Sequence, residues 1–245
     1  LGAEPWRREA AFLRQMTLVM GQKNQLIWDI PAMDTFLMNQ AIYNLPQAEF
    51  RRTLDAFIAQ LEIGGLLDKP VRNLSLGERM KCELVAALLH CPQVLFLDEP
   101  TLGLDVTMQS RIRAFIHEYN RRTGATVLLT SHYMADIEAL CERVIVIHHG
   151  RLLFDGRLRD LIERTAPYKV LRVAFETPYV AQLAEEWGEV VERTPAAVAL
   201  RVPKSRVREV TGRLLAEWPV ADVSVEDPPV EHVIEQVFAG GASAG

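Results

Sequence analysis

Two apolar runs that end in polar residues constrain the fold of this 245-residue chain more than any other feature. The run VLFL at Val94–Leu97 is followed at once by Asp98 and Glu99. A second run, TVLLT, is followed by Ser131 and His132. Continuous apolar runs of this length are typical of parallel strands that are buried on both faces. Since ligands bind at the edge where such strands end, we expect these polar residues to lie together there.

Helical patterns separate the apolar runs along the chain. Met16–Met20 (MTLVM) predicts a further buried strand, and helices are predicted at about 32–90 and at 106–122. The alternation of strands and helices predicts the α/β class with a mainly parallel sheet. Further on, VIVIHHGRLLFDG predicts a hairpin that turns at His149 and Gly150.

The pattern changes after about Arg164, where short alternating strands and helical segments replace the long apolar runs. This change predicts a small α+β appendage, in which no group of residues indicates chemistry. We therefore expect an α/β domain at 1–164, with a helical subdomain at about 32–90, followed by an accessory domain at 165–245.

Composition argues against several classes of function. The net charge is −5 with acidic and basic residues mixed along the chain, so no basic block predicts binding of nucleic acid. No run of about 18 apolar residues is present, so any membrane role must come through a partner chain. Cys82, Cys91 and Cys141 have neither CxxC spacing nor a histidine cluster, which favours reduced cytosolic thiols over disulfides or a zinc site.

The acidic pair after the first run suits phosphoryl transfer. Asp98 can hold Mg²⁺ directly or through water, and Glu99 can polarise a water molecule that attacks a γ-phosphate. His132, after the neighbouring run, can donate a hydrogen bond to a phosphate oxygen. Each feature also has a simpler interpretation, since a strand can end in solvated acids and a single histidine is commonly satisfied within the fold.

A helix that follows Ser75 presents a second set of groups suited to phosphate. Ser75 precedes a helical pattern and Glu78 follows three residues later, which is the spacing of a capping box. The amino terminus of such a helix offers backbone N–H groups and a hydroxyl to an anion. The alternative is that Ser75 only caps its own helix, and it can do both.

These segments together resemble the ATP-binding cassette (ABC) family. LSLGE at Leu74–Glu78 resembles its signature motif, VLFLDE its Walker B strand and GLD at Gly103–Asp105 its D-loop. SH resembles its switch histidine, and VMGQ, which ends at Gln22, its Q-loop. The resemblance covers about residues 1–160 and implies a P-loop NTPase-like fold. DGRLRDLIE and the tail ending PPVEHVIEQVF resemble exporter-type cassettes that pair with an ABC-2-like permease.

The resemblance implies a role for each matching residue. Asp98 would bind Mg²⁺ through its hydration shell, Glu99 would be the general base and His132 would contact the γ-phosphate. Gln22 would contact Mg²⁺ or the attacking water, and Gln25 is a competing candidate for that role. The residues implied to contact ATP of the opposite subunit, or to build the interface with that subunit, are Leu74, Ser75, Gly77, Glu78 and Asp105.

The chain departs from the family pattern in two ways. Leu76 replaces a glycine and Glu78 replaces a glutamine, and we expect Leu76 to turn away from the nucleotide. The negative charge of Glu78 leaves the affinity for ATP open. No GxxxxGK[ST] loop is present, so we expect the chain to begin downstream of that loop and, as given, to bind ATP poorly and lack activity. A protein extended upstream would bind ATP normally.

The function implied by the resemblance is that of an ATPase subunit at the cytoplasmic face of the membrane. Two cassettes would form a homodimer that closes over two ATP molecules and couples their hydrolysis to export through an ABC-2-like permease. Leu26, Ile27 and Trp28 would contact the permease or belong to the core. The alternatives are a catalytically impaired cassette that acts as a scaffold and a soluble ATPase that acts on DNA or ribosomes. The intact Asp98, Glu99 and His132 argue against the first alternative, and the missing phosphate loop argues for it. The lack of a coiled-coil insertion, tandem cassettes or a basic face argues against the second.

Overall fold

The computed structural model describes residues 2–21, 23, 25–176 and 187–242. Contacts divide the chain into two compact units, Leu1–Cys141 (unit 1) and Glu142–Gly245 (unit 2). Among the described residues, no helix is both long and apolar enough to cross a membrane.

Unit 1 is built on a three-stranded parallel sheet with the order β1-β2-β3. Its strands are β1 (Met16–Met20), β2 (Val94–Asp98) and β3 (Thr126–Thr130). The helices described in this unit are α1 (Ala10–Leu13), α2 (Ala32–Tyr43), α3 (Gln47–Leu61), α4 (Leu76–Leu88), α5 (Val106–Thr123) and α6 (Met134–Leu140). The predicted α/β class and parallel sheet are therefore confirmed.

One face of this sheet is packed and the other is open. Leu95 and Leu97 of β2 are buried in the core of unit 1. On the opposite face Leu18, Phe96 and Leu128 are neighbours in the strand register, and Leu18 and Leu128 are 44% and 48% exposed. Parallel sheets are usually covered on both faces. This apolar face therefore lacks a cover within the described residues.

Unit 2 contains a hairpin, a helix and an antiparallel sheet. Strands β4 (Arg143–His148) and β5 (Arg151–Arg157) pair around a turn at His149 and Gly150, as predicted, and both turn residues have positive φ. The four-stranded sheet has the order β7-β8-β6-β9. The remaining elements are α7 (Leu158–Thr165), β6 (Tyr168–Phe175), β7 (Glu189–Arg193), β8 (Ala197–Pro203), α8 (Val207–Glu217), β9 (Val220–Glu226) and α9 (Val230–Ala242).

The hairpin and α7 share a core with the C-terminal sheet. Val146 of β4, Leu161 of α7 and Tyr168 of β6 belong to one buried cluster. The compact units therefore divide after Cys141, because these apolar side chains are buried together. The division at 164/165 follows the change in sequence pattern and stays a prediction about functional domains.

Candidate functional site

Three strand ends meet at the carboxyl edge of the unit 1 sheet. Asp98 lies in register with Met20 of β1 on one side and with Thr130 of β3 on the other. The Thr130 hydroxyl donates to Asp98 Oδ1 at 2.6 Å, and the N–H of Gly21 donates to the Asp98 carbonyl oxygen at 2.8 Å. Asp98 is thus held by both neighbouring strands at the edge where the sequence predicts a site.

Glu99 and His132 contact each other directly. His132 Nδ1 lies 2.8 Å from Glu99 Oε2, and the backbone N–H of His132 donates to the same oxygen at 3.3 Å. Among the described residues, no group is hydrogen-bonded to Glu99 Oε1, and the Glu99 side chain is 25% exposed. The carboxylate therefore has one oxygen engaged by His132 and one oxygen left for a further partner.

The backbone at Glu99 adopts a conformation that is rare outside glycine. Its φ is +50°, in the left-handed region that costs most L-residues about 1–2 kcal/mol. Its N–H donates to the carbonyl oxygen of Thr130 at 3.0 Å, and its own carbonyl oxygen accepts from the N–H of Leu102 at 3.2 Å. Strain of this kind persists where the surrounding structure holds it, and it is frequent at functional sites.

Gly21 is needed because the Glu99 carbonyl group approaches it closely. A Cβ on Gly21 would lie 2.1 Å from the Glu99 carbonyl oxygen and 3.1 Å from its carbonyl carbon. Both atoms belong to the backbone, so no rotation of a flexible side chain could relieve the clash. Gly21 is not among the residues predicted from the sequence, although a glycine directly after a strand is a signal of close backbone approach.

Gly21→Ala is expected to lower the free energy of unfolding by about 1–3 kcal/mol, the usual cost of forcing extra atoms into a packed region. It should also displace Glu99. Urea denaturation followed by circular dichroism measures the change. Gly65→Ala is the matched control, because a Cβ there meets nothing within 4 Å. We expect the free energy of unfolding of the control to differ from that of the wild type by no more than about 0.5 kcal/mol. Equal stability of the two variants would contradict the prediction that a Cβ on Gly21 clashes with Glu99.

A buried carboxylate, Asp136 of α6, holds the loops that follow β2 and β3. Its side chain is 0% exposed. It accepts from Thr101 Oγ1 at 2.5 Å and from Ser131 Oγ at 2.9 Å. Its other oxygen accepts from Arg113 Nη1 at 2.9 Å. Since Thr101 and Ser131 lie in the loops that carry the acidic pair and the histidine, Asp136 connects these loops. Asp136 is not among the residues predicted from the sequence, because a lone Asp on a short helix carries no local signal.

The capping box predicted at the start of α4 is confirmed. Ser75 Oγ accepts from the N–H of Glu78 at 3.3 Å, and Glu78 Oε2 accepts from the N–H of Ser75 at 2.8 Å. Two hydrogen bonds with Ser75 hold the pKa of the Glu78 carboxyl below its usual value. The bond from the Ser75 backbone N–H has the larger effect, and the bond with its side chain has the smaller one. The first turn of a helix leaves the N–H groups of Leu76 and Gly77 without intrahelical acceptors, so these donors remain for an anion.

The start of α4 packs closely against the loop that precedes α5. A Cβ on Gly103 would lie 3.1 Å from Leu76 Cδ2, and a Cβ on Gly77 would lie 3.0 Å from Met108 Cγ. Asp105 caps α5 by accepting from the N–H of Met108 at 2.9 Å. Within one chain, the segments that resemble the signature motif and the D-loop are therefore neighbours.

The remaining predicted site residues have different surroundings. Gln22 lies outside the described residues. Gln25 is described, and its Nε2 donates to the carbonyl oxygen of Leu18 in β1, so its side chain is engaged within the fold. Leu74, the residue before Ser75, is buried in the core of unit 1.

Two family models match separate parts of the chain. A model described as "AAA domain, putative AbiEii toxin, Type IV TA system" matches residues 19–134, which include the sheet edge and the start of α4. A model described as "EvrA-like ABC transporter, C-terminal domain" matches residues 167–226, within unit 2.

The chain is similar in sequence to several ATP-binding proteins. It is 33% identical over 198 residues to Nod factor export ATP-binding protein I of Burkholderia thailandensis. The aligned region covers 79% of this chain and 63% of that protein. It is 28% identical over 162 residues to ABC transporter ATP-binding protein NatA of Bacillus subtilis. The aligned region covers 66% of this chain and 65% of NatA. The chain thus spans slightly less than two thirds of the length of these curated relatives.

Solved structures agree with this similarity. A structure described as an ATP binding subunit of an ABC transporter aligns with a TM-score of 0.60 and 25% identity, over 66% of this chain and 67% of that chain. The structure of cbiO1 from Clostridium perfringens aligns with a TM-score of 0.53 and 24% identity, over 62% and 63% of the two chains, and supports the fold alone.

Proposed function

We propose, from the homology of this chain to the ATP-binding proteins of ABC transporters, that its protein binds and hydrolyses ATP and couples hydrolysis to export through a separate membrane permease. The observation that carries this proposal is the contact between Glu99 and His132, beside Asp98, at the edge where three parallel strands end. Phosphoryl transfer depends mainly on positioning and charge compensation, and these three side chains are suited to supply both.

In the proposed reaction, Glu99 is the general base. Its Oε2 is held by His132, so Oε1 would accept a proton from the water molecule that attacks the γ-phosphate. The water oxygen bonds to the γ-phosphorus while the bond to ADP breaks. With Nδ1 directed to Glu99, His132 has Nε2 left to contact a phosphate oxygen. His132 would therefore orient the base and contact the γ-phosphate.

Asp98 is the residue proposed to bind Mg²⁺. Its side chain is exposed, one carboxylate oxygen accepts from Thr130, and within the described residues the second oxygen has no protein partner. Mg²⁺ commonly binds through one or two carboxylates, several waters and the phosphates of the substrate. The described part of the chain contains no cluster of three or more metal-binding side chains. Such an ion would offset charge on the phosphates, and Gln22 is proposed to contact the ion or the attacking water.

ATP is proposed to lie between two copies of the cassette. The Ser75 hydroxyl and the N–H of Gly77 would contact the nucleotide held by the other copy, and Asp105 would support the interface. The Glu78 carboxylate lies beside the same helix terminus. Its negative charge would weaken this contact compared with a neutral residue of the same size.

The phosphate-binding loop is proposed to come from a segment outside the 245 residues, because they contain no GxxxxGK[ST] sequence. In P-loop folds this loop leads into a helix. Such a helix would also cover the open apolar face formed by Leu18, Phe96 and Leu128, which supports the proposal.

An apolar surface of unit 1 is proposed as the contact for an ABC-2-like permease. Leu26 is buried and so is not part of this surface, whereas Ile27 and Trp28 are exposed. Leu37 and Ile42 of α2 are exposed as well. Exposed apolar groups of this kind suit a protein interface. The protein would thereby lie at the cytoplasmic face of the membrane, with 165–245 as an accessory domain.

The test is to purify the protein as it occurs in its source cell and to measure Mg-ATP hydrolysis and its mass with and without ATP. We expect hydrolysis and an ATP-dependent dimer. The 245-residue chain alone is the comparison, and we expect its rate to be lower by about 100-fold or more, because the groups that stabilise the phosphates are missing. A protein that neither binds nor hydrolyses ATP would contradict the proposal and favour the scaffold alternative.

A further inference from the structure

Glu83 is a buried carboxylate on α4 that takes no part in the proposed chemistry. It is 3% exposed and lies about two helical turns beyond Ser75. Its Oε1 accepts from the N–H of Gln25 at 2.8 Å and from the N–H of Leu26 at 3.2 Å. Its Oε2 accepts from the N–H of Gln25 at 3.1 Å. Burial raises the pKa of Glu83, and a carboxylate is costly to bury unless such hydrogen bonds compensate.

The segment bonded to Glu83 is also fixed by its own side chains. Leu26 is buried in the core of unit 1. Gln25 Nε2 donates to the carbonyl oxygen of Leu18 in β1. The two amides that donate to Glu83 therefore belong to a segment with a defined position. A shift of Glu83 would displace Gln25 and Leu26, and a shift of these residues would displace Glu83.

The loop after β1 is held at its other end by the candidate site. The N–H of Gly21 donates to the carbonyl oxygen of Asp98 at 2.8 Å. Gly21 is thus attached to the strand that carries Asp98. Gln25 is attached, through Glu83, to the helix that Ser75 begins.

We propose that Glu83 is a positioning residue that couples the loop after β1 to the helix that presents Ser75. This inference rests on the proposed function, in which the loop contains Gln22 and the helix contacts the nucleotide of the other copy. A displacement of the loop when ATP binds would be transmitted to α4 through the two amides that Glu83 holds. A displacement of α4 when two copies close would reach the loop by the same hydrogen bonds.

The first experiment uses the 245-residue chain and measures amide hydrogen exchange at Gln25 and Leu26 by NMR. Glu83→Gln keeps the size of the side chain but has a single acceptor oxygen, so we expect these amides to exchange about tenfold faster. Glu49→Gln, which changes an exposed carboxylate on α3, is the matched control and should leave both amides unchanged. Unchanged exchange in Glu83→Gln would overturn the proposal.

The second experiment uses the ATP-hydrolysing protein and separates positioning from stability. We expect Glu83→Gln to lower kcat by about tenfold with a smaller change in KM, because ATP is still bound while the loop is misplaced. An unchanged kcat, or a loss fully explained by a smaller folded fraction, would overturn the proposal. If the wild-type protein itself hydrolyses no ATP, the proposed function fails, and the hydrogen-exchange result alone decides whether Glu83 holds the loop.

Discussion

Replacing Glu99 with glutamine is expected to lower the rate of ATP hydrolysis by about 10²–10⁴-fold, the usual contribution of general acid–base catalysis. Glutamine has nearly the shape of glutamate, but its amide does not accept the proton of the attacking water. The two donors of His132 can still reach an amide oxygen at this position, so the geometry of the site should persist. Steady-state ATPase assays on the ATP-hydrolysing protein measure the effect.

Two further measurements make this result specific to catalysis. ATP binding should change little in Glu99→Gln, and a nucleotide-bound dimer should accumulate because hydrolysis no longer reopens it. Glu49→Gln, on the surface of α3, is the matched control and should hydrolyse ATP at the wild-type rate. A wild-type rate in Glu99→Gln would mean that the assignment of the base is wrong.

Asp136→Ala is expected to have the largest effect on stability, with a loss of about 3–5 kcal/mol in the free energy of unfolding of unit 1. The Arg113 side chain is only 16% exposed, so its charge would be left largely buried without a partner. The hydroxyls of Thr101 and Ser131 would lose their shared acceptor as well. Hydrogen exchange at the Leu95 amide, in the central strand β2, reports global unfolding of unit 1 and measures this loss.

Two variants identify the source of that loss. Asp55→Ala removes an exposed carboxylate of α3 and should change the free energy of unfolding by no more than about 0.5 kcal/mol. Asp136→Asn combined with Arg113→Met removes both charges, so it should be less destabilised than Asp136→Ala. Equal destabilisation would mean that the unpaired charge of Arg113 does not account for the cost.

Much of unit 1 could be predicted because its elements are encoded in short stretches of sequence. The apolar run of β2, the amphipathic pattern of α5 and the capping box at Ser75 each depend on neighbouring residues alone. The proximity of Asp98 and Glu99 to His132 could be predicted as well, since the carboxyl ends of parallel strands share one edge. The roles of these residues stay predictions until activity is measured.

Other features of the site depend on contacts between distant parts of the chain. Gly21 matters because the Glu99 carbonyl group lies where a Cβ would be. Leu26 and Trp28 look equivalent in sequence, but one is buried and the other is exposed. Apolar character alone did not separate them, because burial depends on which elements pack over a residue.

By itself, the sequence determined the α/β class, the order of the elements and the kinds of chemical group that gather at the end of the parallel sheet. Only the tertiary structure decided which residues hold those groups in place. Glu83 bonds to amides 57 and 58 residues away, and Asp136 bonds to a hydroxyl 35 residues away. A buried carboxylate must find hydrogen-bond donors wherever the fold brings them, and no local pattern of residues records that pairing.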